Sequence, residues 1–142
     1  MNMAQVNPLP IRVKPVESEK ITVNLGHVDL GQIDLLVDER FYSNRTDFIR
    51  TAIRNQLERH NDAVKRAVEV RRLELGLRHY RRADLEAARA AGQTLHIQVL
   101  GLAVIDPDVS PDLARETISS IRVLGALQAS AAVKAALSGR IL

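Results

Sequence analysis

The sequence predicts an α/β protein: one strand and two helices first, then a small α/β unit of stacked strand-turn-helix repeats. Two observations carry that prediction. In "EKITVNL", Glu19 to Leu25, the apolar residues Ile21, Val23 and Leu25 alternate with Lys20, Thr22 and Asn24, which is the period of a half-buried strand. Further on, the stretches beginning at Ile97 and Ile121 align without a gap, 24 residues apart.

The composition sets bounds on both units. The chain has 142 residues, 46% of them hydrophobic and 26% charged, with only 3% aromatic. Its core must therefore come from Leu, Ile, Val and Ala. The absence of cysteine excludes a disulfide framework, thiolate metal sites and a cysteine nucleophile, and fits a reducing compartment. No apolar run approaches membrane-spanning length, and the first residues lack the apolar stretch of a secretory signal, so a cytoplasmic protein is expected. A net charge of +3 permits nucleic-acid binding without demanding it.

Residues 1–17 hold three of the five prolines and read as a flexible tail. The strand follows and ends at Gly26. In "HVDLGQIDLLVDERF", Leu30, Ile33, Leu36, Val37 and Phe41 recur at helical spacing, with Asp29 and Gln32 placed like a capping box. Next, Asn44 in "YSNRTDF" is placed as an N-cap with Asp47 three residues on. The helix it opens carries Phe48, Ile49, Ala52, Ile53 and Leu57 on one stripe, and Val64, Ala67 and Val68 can prolong it. A strand and two helices in roughly fifty residues make too small a unit to close its own core. A second copy supplies the rest if two strands pair antiparallel about a twofold axis, with Ile21, Val23 and Leu25 covering four helices.

From "KITVNL" through "QIDLLV" to "YSNRTDFIR", Lys20 to about His60, the sequence resembles the ribbon-helix-helix proteins of the CopG, Arc and MetJ kind. The resemblance implies a bacterial or phage DNA-binding dimer, usually a repressor, whose paired strands lie in the major groove. By position it makes Lys20, Thr22 and Asn24 the base-reading side chains, and the start of the second helix, Ser43, Asn44, Arg45 and Thr46, a phosphate site. The chemistry is apt. Lys donates to guanine acceptors, Asn pairs with adenine, and Thr meets a polar edge or a thymine methyl. Free amides at a helix start bind an anion, and Arg45 adds a charge. The segment "GHVDLG" departs from the proline and acidic residues common in the family, and Gly31 inside a helix marks a close approach to a partner helix. Arg50, Arg54 and Arg59 read as a solvated face.

In the second half, Val99 aligns with Val123, Leu100 with Leu124, Gly101 with Gly125, Val109 with Val133 and Leu113 with Leu137. A degenerate third copy begins at Leu73, followed by "RADLEAARAAG" to Gly92. Such repeats stack, and parallel strands joined by crossovers are the expected result. The domain limits are then 18–66 for the ribbon-helix-helix unit and 69–142 for the repeat unit. Exposed strand edges and apolar ends predict self-association of 69–142, giving tetramers or higher oligomers beyond the ribbon dimer.

No enzyme, cofactor or metal is expected. His79 and His96 fall on different predicted strands, the related nickel-responsive regulators use histidines plus a cysteine, and "DPDVSPD" lacks the glycine and glutamate of a calcium loop. It reads as a turn and helix cap. The partner expected is double-stranded DNA, bound by a sequence-specific transcriptional regulator. The other readings are an antitoxin, with a toxin as protein partner, and an architectural or filament-forming DNA protein.

Overall fold

The computed structural model describes residues 17–142. The tail expected over 1–17 lies outside these, save for Glu17, which is exposed. Residues 17–26 form neither helix nor strand and pair with no strand among the described residues. Ile21 and Val23 are left 74% and 68% exposed, so the alternating segment has no core within one copy.

Helix α1 spans His27–Asp38, and its N-cap is the extended Gly26, which gives no side-chain cap. The expected capping box of Asp29 and Gln32 is therefore corrected. The helix starts earlier, and Asp29 lies within the first turn, where its charge meets the positive end of the helix dipole. Phe41 falls beyond the helix and is 72% exposed. A methyl at Gly31 would meet nothing within 4 Å, so no close approach is made there inside one chain.

Helix α2, Arg45–Arg59, opens as the sequence predicts: the Asp47 amide donates to Asn44 Oδ1 at 2.8 Å. The reciprocal bond is shifted by one residue, because the Ser43 amide, rather than that of Asn44, donates to Asp47 Oδ2 at 2.9 Å. Tyr42 packs edge-on against Phe48, ring centroids 5.0 Å apart, and fixes the turn. After His60 a further helix, α3, runs over Asn61–Arg71. It passes through Arg66 and Glu69, and the chain changes to sheet only after Arg72, in left-handed conformation.

The remainder is a three-stranded parallel sheet in the order β1 (Glu74–Tyr80), β2 (Leu95–Ile105), β3 (Ile118–Gln128). The crossovers carry α4 (Arg82–Ala90) and α5 (Pro111–Thr117), and α6 (Ala131–Ala136) follows β3. Parallel crossovers are right-handed. Helices α4 and α5 therefore share one face, and α6 joins them there, where Leu85, Leu113, Ala114, Val133 and Leu137 pack on Ile97, Val99, Ile118 and Ile121, all at most 4% exposed. Ser110 caps α5, its Oγ accepting from the Leu113 amide at 3.1 Å, and Ser130 caps α6 in the same way through Val133. The "DPDVSPD" stretch is thus a turn and cap.

Strand register sets Val99 beside Val123 and Gly101 between Gly76 and Gly125. These three glycines form a row across the sheet, all at positive φ, between 117° and 138°. L side chains rarely adopt such values. Burial of Tyr80, with Glu74 nearby, pushes its phenol above the usual tyrosine range.

Candidate nucleic-acid interface

The expected phosphate-binding residues are brought together by the turn into α2. Ser43, Asn44, Arg45 and Thr46 are consecutive and exposed, and the cap consumes the Asp47 amide. The Arg45 and Thr46 amides make no hydrogen bond among the described residues. They point out of the helix start, as the first amides of any helix must. An anion seated there would meet two free amides and the positive end of the dipole.

The Arg45 side chain is committed elsewhere. Its Nε and Nη2 donate to Asp34 Oδ1 and Oδ2, each at 2.8 Å, in a two-pronged pair that ties α2 to α1. The hydrogen bonds and the charge of Arg45 hold the Asp34 carboxyl below the usual range, and Asp34 raises the Arg45 guanidinium in return. Both groups are exposed, so solvent screens the pair and its contribution to stability is small. Its position matters more, since it places a carboxylate beside the helix start that an anion would approach. Asp34 was not legible as part of the site. It lies eleven residues from Arg45 across a turn, and no local pattern signals such a pairing.

The expected base-reading residues Lys20, Thr22 and Asn24 lie exposed along residues 17–26, immediately ahead of α1. Within one chain, no hydrogen bond among the described residues links them to the α2 site. Arg50, Arg54 and Arg59 on α2 are exposed and make no ion pair among the described residues. Of the histidines, His79 contacts Asp106 and His96 Nδ1 lies 2.9 Å from Ser120 Oγ. No group of three or more metal-ligating side chains occurs among the described residues, and no helix there is long and apolar enough to cross a membrane.

No curated protein and no solved structure matches the chain. A family model does, over residues 16–134, so it takes in both the helical unit and all three strands of the sheet. The chain belongs to the ribbon-helix-helix transcriptional regulator family, whose members bind DNA and typically dimerise.

Proposed function

We propose that this protein is a sequence-specific repressor of the cytoplasm that reads operator DNA with an antiparallel ribbon formed by residues 20–25 of two copies. The observation that carries this reading is the exposure of Ile21, Val23, Ile53 and Leu57. A folded surface rarely leaves so many large apolar side chains bare, and a twofold partner covers them. The same pairing turns Lys20, Thr22 and Asn24 to the opposite, polar face of the ribbon, at the depth of base edges in the major groove. The phosphate held by Ser43, Asn44, Arg45 and Thr46 positions the ribbon, and the ribbon specifies the sequence.

In this reading the Arg45 guanidinium divides its time between Asp34 and phosphate. Arg45→Ala is expected to weaken binding to every duplex alike and to lower the salt slope by about 0.9 for each phosphate that is no longer neutralised. Asp34→Asn is expected to do the reverse, raising affinity for all sequences and steepening the slope, because a competing carboxylate is gone. Thr22→Ala differs from both. It costs about 1–3 kcal/mol on the preferred duplex and little on an unrelated one. Anisotropy titrations of the three variants on both duplexes, from low to moderate salt, test the assignment. A loss confined to one sequence in Arg45→Ala, or a uniform loss in Thr22→Ala, contradicts it.

A further inference from the structure

Strand alternation sends Ile97, Val99, Ala103 and Ile105 into the helix-covered core, so the residues between them face the other way. Across the strands that second face carries the row Leu75, Leu100, Leu124 and the row Leu77, Leu102, Ala126. Leu75, Leu77 and Leu124 are 71%, 47% and 44% exposed. Between the rows runs the glycine line, which forms the floor of an open trough of about 710 Å³. Parallel sheets are almost always covered on both faces, and this one is covered on one.

We infer that this open sheet face docks against the same face of a second copy of the chain. Size decides the occupant. Three strands at about 4.8 Å spacing and some seven residues at about 3.3 Å give a face of roughly 300 Å², far below the roughly 800 Å² per partner of a stable independent complex. A freely diffusing protein would not hold to it. A second copy already tethered nearby would, because tethering supplies an effective concentration in the millimolar range. That tether is the ribbon, so the inference rests on the ribbon reading. Glu17, Ser18 and Glu19 line one side of the trough and lead directly into Lys20–Leu25, so the trough and the ribbon segment are contiguous along the chain. The surface is also self-complementary: leucine ridges on one copy fit the side-chain-free glycine line of the other.

The chain has no native cysteine, which makes a site-directed test direct. In the full chain, Leu102→Cys on the face and Lys134→Cys on the exposed side of α6 are each treated at low micromolar concentration with a short bismaleimide. Its span matches the sheet spacing of about 10 Å. Interchain crosslinking is expected to be about 100-fold faster for Leu102→Cys, and Leu77→Cys on β1 provides the same readout should Leu102→Cys fold poorly. Equal rates at face and control positions in folded protein would overturn the proposal, as would a face blocked by any other occupant. Adding Val23→Asp is expected to abolish the fast crosslink by removing the tether. Crosslinking that survives Val23→Asp would leave the sheet interface standing and count against the ribbon reading instead.

Discussion

Gly101→Ala is expected to unfold the sheet half of the protein. Gly101 sits at φ 138°, and a Cβ there would overlap the Gly76 carbonyl oxygen and lie 3.0 Å from its carbonyl carbon. Both atoms belong to a neighbouring backbone, so no side-chain rotation relieves the overlap. A residue forced into such a φ costs about 1–3 kcal/mol. The steric clash adds to this, and the total reaches the range of about 4 kcal/mol or more that is exceptional for one substitution. Gly125→Ala is expected to behave alike, because its Cβ would overlap the Gly101 carbonyl oxygen. Gly76 is the informative comparison. Its φ is 117°, yet nothing lies within 4 Å of the Cβ position, so Gly76→Ala carries only the conformational cost. Urea denaturation of the three variants checks the ranking. Equal losses at Gly76 and Gly101 would mean that close approach between strands contributes nothing.

Val23→Asp is the second large effect, and it acts on the other half. Val23 is 68% exposed in one copy, so the change leaves the single chain's packing nearly untouched. In a ribbon dimer it would place a carboxylate in the core between four helices, and breaking up the dimer is less costly than burying that charge. The expected result is loss of the dimer together with loss of DNA binding, while the sheet half stays folded. Asn24→Ala, one residue on, is expected to keep the dimer and to lose about 1–3 kcal/mol at one base pair. Light scattering and circular dichroism on both variants decide the register. The opposite pattern would shift it by one residue, since neighbours on a strand face opposite ways.

These contrasts show which parts of the molecule the sequence makes legible. The α2 cap was readable because Asn44 and Asp47 interact through local backbone amides. The sequence misplaces the start of α1. Asp29 has the chemistry of a cap, but the cap falls to Gly26, which signals its role only through backbone geometry. Likewise the gapless spacing of Ile97 and Ile121 carried over into strand register, because equal crossover lengths bring equivalent residues side by side. From β1 to β2 the register pairs Gly76 with Gly101, one residue longer than the pairing of Gly101 with Gly125, which is why the first copy looked degenerate. What stayed hidden depends on contacts across the fold. Asp34 reaches Arg45 over a turn, and α4 and α5 gather on one face of the sheet through the handedness of the two crossovers. No local pattern encodes any of these.

Two copies of residues 20–25 are proposed to read base edges in the major groove. Duplexes selected from a random pool by the full-length protein, then partially methylated, test it in one measurement. Methylation reaches guanine N7 in the major groove and adenine N3 in the minor groove. The expected result is that N7 methylation blocks binding at two symmetric half-sites, and that Lys20→Ala loses this sensitivity while remaining dimeric. Interference confined to adenine N3, or an N7 pattern unchanged in Lys20→Ala, would contradict the claim.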